Sequence, residues 1–179
     1  QAHPQDAAVQ QNGCMAMANM CVGTDAAAFA RIQRAADAGG IELAVAAMQA
    51  HPQDAGVQEN NCWALVNVCF GSDAAGFARI QRAADAGGIE LAVAAMQAHP
   101  QDAGVQENGC GAMAAMCVGT DAAGFARKQR AADAGAIEAI VAAVQAHPQD
   151  AAVQQNGCMA MANMCVGTDA AAFARIQRA

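Results

Sequence analysis

The sequence predicts an all-α fold of short helices stacked in repeated units, an α-solenoid, and three observations carry that prediction. The string His-Pro-Gln-Asp starts at His3, His51, His99 and His147, each copy opening a close variant of one 48-residue unit. Residues 1–35 and 145–179 are identical, so a longer period of 144 encloses the shorter one. Within each unit, apolar residues recur at helical spacing between Gly, Pro and Asp punctuation. Self-similarity at such a period marks stacked repeats rather than a globular enzyme fold. The units run 3–50, 51–98 and 99–146, with a partial fourth at 147–179, in a single array over 1–179.

The second unit serves to read the elements in order. Pro52 cannot continue a preceding helix but suits the start of a new one, and no breaker except Gly56 follows between Ala55 and Phe70. On a helical wheel Val57, Cys62, Ala64, Leu65, Val68 and Cys69 cover one broad arc, with Asn60, Trp63 and Asn67 opposite. Gly71 fits the left-handed position past a helix end. Ser72-Asp73 then reads as a hydroxyl cap followed by an acid in the first turn, repeated as Gly-Thr-Asp at 23–25, 119–121 and 167–169. The next helix, Asp73 to about Ala86, sets Phe77, Ile80 and Ala84 on one face and Arg79 and Arg82 on another. Gly87-Gly88 breaks it. A helix from Ile89 to Ala98 follows, apolar nearly all round, and His99-Pro100 ends it. No such helix can bury its apolar face alone, so units must stack.

Composition narrows the function classes. Aromatics are 3% of the chain, with no Tyr and a single Trp, and much of the 55% hydrophobic content is alanine, so close helix–helix contacts replace large side chains. The net charge of −7 argues against nucleic acid and anionic membrane as partners, and no apolar run is long enough to span a bilayer. The cysteines fall in Cys-x6-Cys pairs at 14/21, 62/69, 110/117 and 158/165, roughly 10 Å apart along a helix, too far for a bridge within it. They read as reduced core residues of an intracellular protein, cytoplasmic or nuclear. There is no nucleophile with a base in reach, no phosphate loop, no Cys-x2-Cys and no paired carboxylates at a useful spacing. No enzyme, metal or cofactor is expected.

The segment from Val57 to Cys69, with its Val-Gln-Glu and Trp-Ala-Leu-x-Asn motifs, together with Gly87-Gly88-Ile89-Glu90-Leu91, resembles armadillo repeats over essentially the whole chain. The unit here is several residues longer than a typical armadillo repeat, the excess lying between Asp73 and Ala86. The resemblance implies a right-handed superhelix of three-helix units whose third helices line a concave groove for a protein or an extended peptide. Carried over by position, the backbone-binding asparagine ladder is Asn19, Asn67 and Asn163, and the tryptophan position reads Met15, Trp63, Gly111 and Met159. Gly111 and Ala115 interrupt both series in the third unit. Asn12, Asn60, Asn108 and Asn156, a turn or two earlier, extend the polar stripe, and Glu59 and Glu107 beside it favour basic peptides.

The other recurring residues have plainer expectations. Met17 and Met20 fall on the buried arc. His3, His51, His99 and His147 read as a column of solvated turn residues. Arg31/Arg34, Arg79/Arg82, Arg127/Arg130 and Arg175/Arg178 read as a solvated outer stripe paired to acids. Lys128 stands where the other copies have Ile and must snorkel or sit at a loose site. The chain begins at Gln1 in a third helix and ends at Ala179 in a first helix, with no polar cap at either end. Such ends expose complementary apolar faces, which predicts head-to-tail homo-oligomers or domain swapping. The perfect 35-residue identity points to a recent duplication or to assembly from a periodic sequence. A non-enzymatic binding scaffold and a self-assembling structural repeat protein are therefore the two expectations.

Overall fold

In a computed structural model of the chain, which describes residues 3–167 and 170–178, every regular element is an α-helix. In chain order these are α1 (Ala7–Met20), α2 (Ala26–Asp37), α3 (Gly40–Ala50), α4 (Ala55–Val68), α5 (Ala74–Asp85), α6 (Gly88–Ala98), α7 (Ala103–Met116), α8 (Ala122–Asp133), α9 (Ala136–Ala146), α10 (Ala151–Met164) and α11 (Ala170–Arg178). None is long and apolar enough to cross a membrane. The Gly-Thr-Asp signal at 167–169 lies partly outside the described residues.

Aspartate starts most of these helices. Asp54 accepts a hydrogen bond from the Val57 amide at 3.0 Å, satisfying one of the orphan donors of the first turn, and Asp6, Asp102 and Asp150 do the same for α1, α7 and α10. At the start of α5 the cap is Asp73 itself, bonded to the Gly76 amide at 2.8 Å, and not the Ser72 hydroxyl that the sequence suggests. Gly87 breaks the chain before α6 as expected: at φ 94° and ψ 13° it occupies left-handed space that other residues enter only at a cost.

The long helices pack in succession, α1 on α4, α4 on α7 and α7 on α10, while α3, α6 and α9 each lie against the long helix that follows. The core runs through these contacts. Leu65, Val68, Ile80, Ile89, Met96, Met113, Met116, Ile137 and Ile140 are buried in it. The six residues assigned to the apolar arc of α4 and its cap, Val57, Cys62, Ala64, Leu65, Val68 and Cys69, are all buried. Buried and half-buried glutamines tie the layers together. Gln58 Nε2 donates to the Met48 and His51 carbonyls at 3.0 and 2.9 Å, and Gln106 and Gln154 repeat the motif at the ends of α6 and α9.

Four expectations need correction. Arg79, Arg127 and Arg175 are not a solvated stripe but are buried. Arg79 Nε and Nη2 donate to the Val68 and Phe70 carbonyls at 2.9 and 2.7 Å, so the guanidinium closes the C-terminal end of α4, where partial negative charge collects. Arg82 and Arg130 do pair with acids, Glu42 and Glu90, one unit back. Lys128 neither snorkels nor sits loosely. It is 2% exposed, its Nζ donates to the Gly119 carbonyl at 2.7 Å, and it lies 5.2 Å from the centre of the Phe125 ring. His51, His99 and His147 are half-buried links rather than solvated residues, whereas His3 is exposed. Nε2 of His51, His99 and His147 bonds the carbonyl of Pro4, Pro52 and Pro100 at 2.9–3.0 Å, which fixes the Nε2-protonated tautomer. Met17 is buried as expected, but Met20 is 56% exposed, whereas its counterparts Met116 and Met164 are fully buried.

Met20 belongs to a wider contrast. Helices α1 and α10 have the same sequence yet bury different faces. Helix α10 buries Val153, Gly157, Ala160 and Met164, on the side of α7, while α1 buries Gln10, Cys14, Met17 and Ala18, on the side of α4. The α1 equivalents of the first set, Val9, Gly13, Ala16 and Met20, are exposed.

Candidate functional site

The stacking of α4, α7 and α10 sets one face of each long helix beside the next, and an apolar hollow of about 720 Å³ opens along them. Trp63 and Val66 of α4 form one wall, Met159 and Asn163 of α10 the other, and Gly111 and Ala115 of α7 the floor. The two departures from the repeat pattern in the third unit thus lie in its lining.

Of the residues singled out in the sequence, Trp63, Asn108, Asn156, Met159 and Asn163 line this hollow. Asn60 and Asn67, on α4, and Asn12, Met15 and Asn19, on α1, lie outside its lining. Met15 and Met159 are 40% and 45% exposed, as befits the positions that replace tryptophan. The hollow also takes in residues that the sequence reading did not single out for a site, Phe29 and Phe70, whose rings stack at 6.1 Å and 16°. Their counterparts in sequence are apolar residues just past a helix end and mid-helix, with no spacing that joins them.

The asparagines differ in where their amides go. Asn12, Asn60 and Asn67 donate back to their own helices, to the Ala8, Gly56 and Trp63 carbonyls at 2.8, 2.9 and 3.0 Å. Asn156 and Asn163 instead cross to α7, donating to the Glu107 and Ala114 carbonyls at 3.2 and 2.9 Å. Gly111 explains the approach. A Cβ built there would lie 3.6 Å from Asn156 Nδ2 and only 3.1 Å from Val66 Cγ2, so a larger side chain would crowd both neighbours. In all five residues one amide N–H is committed to backbone, and the second N–H and the side-chain oxygen remain to face a ligand.

The charge around the hollow has one sign. Glu107 is the charged residue in its lining. Glu59 sits against Gly104 in the first turn of α7, and burial, with Asp102 and Glu107 nearby, pushes its carboxyl above the usual range. Arg79 stands behind the lining, its Nη2 donating to the Phe70 carbonyl at 2.7 Å, and among the described residues no arginine is part of it.

The cysteines carry no comparable cluster. All eight are free, and Cys158 is the exposed one. Burial pushes the Cys62, Cys69, Cys110 and Cys117 thiols up to about 12, which holds them protonated and unreactive at neutral pH. Among the described residues no three His, Cys, Asp or Glu side chains gather to hold a metal.

Compared with protein-family models, with curated proteins and with solved structures, the chain matches none. Its own geometry defines the class: an all-helical, repeat-like protein with an apolar hollow between its long helices.

Proposed function

We propose that the chain is a non-enzymatic, armadillo-like scaffold that binds a protein segment or extended peptide. In this reading the 48-residue, three-helix units wind as a right-handed α-solenoid, and α1, α4, α7 and α10 line its concave side. The protein works inside the cell, in the cytoplasm or nucleus, with its thiols reduced. The observation that carries the proposal is the hollow between Trp63 and Met159, concave, mostly apolar and edged by a few polar groups, as binding sites are. Substituting Trp63→Ala together with Asn67→Ala, with helicity followed by circular dichroism, tests it. Peptides selected from a random library should lose binding to a variant that stays fully helical. Unchanged binding refutes the groove.

Self-association is the second reading, favoured by the different faces that the identical helices α1 and α10 bury. The face that α10 presses against α7 is the face that α1 leaves exposed, and the reverse holds for Cys14 and Cys158. A second copy would therefore meet a surface already complementary to its own. Light scattering over a wide concentration range decides it: mass should rise from 18.0 kDa in whole steps, and a constant monomer mass rejects the reading.

A further inference from the structure

We propose that the hollow over Gly111 and Ala115 is the specificity pocket of this surface, and that it takes a peptide carrying a large apolar residue beside a Lys or Arg. The inference rests on the groove reading above and adds which sequence the groove selects.

Three features fix the ligand chemistry. The first is length. From Glu107 to Ala115 the hollow follows α7 for about 12 Å, the reach of about four extended residues. A volume of about 720 Å³ exceeds what any one side chain fills, so a short segment with a bulky anchor suits it better than an isolated group. The second is the floor. Gly111 and Ala115 carry almost no side chain between the Trp63 and Met159 walls, and that is room for an aromatic or long aliphatic residue.

The third feature is the charge, which is one-sided. The Asn156 and Asn163 amides each spend one N–H on the Glu107 and Ala114 carbonyls, so each keeps one N–H and an oxygen acceptor and carries no charge to the edge. Glu107 adds a carboxylate, and no Lys, Arg or His lines the hollow among the described residues. A ligand that brings a positive charge complements this edge, and an acidic one is repelled.

The test is selection of short random peptides on the wild-type chain, with enriched sequences then measured by fluorescence anisotropy. Enriched peptides should pair Phe, Trp, Leu or Met with a neighbouring Lys or Arg. Filling the floor with Ala115→Met should weaken them by about tenfold or more. Glu107→Gln, a half-buried edge position that leaves the floor intact, should weaken them less and flatten their salt dependence. Enriched peptides without a large apolar residue, or binding unaffected by Ala115→Met in a chain of unchanged helicity, overturn the pocket. Loss on Trp63→Ala with Asn67→Ala but not on Ala115→Met leaves the groove standing and removes the pocket alone. No enriched peptide at all removes both. Binding of a simple aromatic amine without any enriched peptide reassigns the hollow to small molecules and also overturns the proposal.

Discussion

Arg127 and Gln81 meet across 46 residues of sequence, Nη1 donating to Oε1 at 2.7 Å, and Gln81 in turn donates to Asp85 at 2.9 Å. The same guanidinium caps the end of α7 through the Met116 and Val118 carbonyls, both at 2.9 Å. One side chain thus satisfies helix-end carbonyls in its own unit and an amide oxygen in the unit before. Removing it leaves buried acceptors without partners and a cavity. Arg127→Ala should cost about 3 kcal/mol in urea unfolding. Arg31 makes the equivalent carbonyl bonds, to Met20 and Val22, but is exposed, so Arg31→Ala should cost markedly less. Equal losses would mean that burial of the guanidinium contributes nothing.

Lys128→Ile should stabilise the chain by about 1 kcal/mol, since it relieves a desolvated ammonium in a site whose copies bury Ile32 and Ile80. The pH dependence follows from the same burial, which holds the Lys128 ammonium below its ordinary 10.5, with Arg175 and Arg127 adding to the effect and Cys117 and Asp121 opposing it. The unfolded chain then binds the proton more tightly than the folded one. The penalty is complete below the lowered folded value and relieved as pH rises to 10.5. The stability gap between wild type and variant should narrow as pH rises from neutrality toward 10.5. A constant gap would place the lysine's effect in packing rather than charge.

The cysteines act in the opposite sense. Their folded values near 12 lie above the ordinary 9.0, so protonated thiols contribute stability that is fully present below pH 9 and lost as pH rises beyond it. Unfolding free energy should therefore fall from pH 9 upward. Replacing Cys62 and Cys110 by Ala should shallow that fall, despite a lower stability at neutral pH. An unaltered slope would show that these thiols do not govern it.

Native thiol labelling should find one fast group per chain, Cys158, and all eight after unfolding. Cys158→Ser should abolish the fast phase. Rapid labelling of Cys62 or Cys110 would mean that the α4–α7 interface opens readily.

His99→Ala should cost about 1 kcal/mol through the lost bond to the Pro52 carbonyl. Thermal unfolding compared with His3→Ala, an exposed position, isolates the contribution of the link.

The helices were legible because their boundaries are written locally. Asp54, Gly71, Asp73 and Gly87 each act within a few residues of themselves, and the buried arc of α4 follows from spacing alone. Arg79 was misread because its partners are not local: Gln33 lies 46 residues away, and on a wheel the arginine falls 100° from Ile80, off the apolar face, where solvent is the default expectation. Lys128 was misread for the same reason, since the Gly119 carbonyl that receives it lies beyond the reach of helical periodicity. At the site, the motif located Trp63, Met159 and Asn163. It could not tell that two missing side chains, at Gly111 and Ala115, leave room instead of a gap in a ladder. That depends on how far apart α4 and α10 stand, which no residue states by itself.

The bonds between units have a direction. His51 to Pro4, Arg79 to Gln33, Arg82 to Glu42, Arg127 to Gln81 and Asn163 to Ala114 all run from a later donor to an earlier acceptor. A chain made from its amino end never exposes one of these arginines to a partner still unsynthesised. Each unit leaving the ribosome finds the acceptors of these bonds already synthesised.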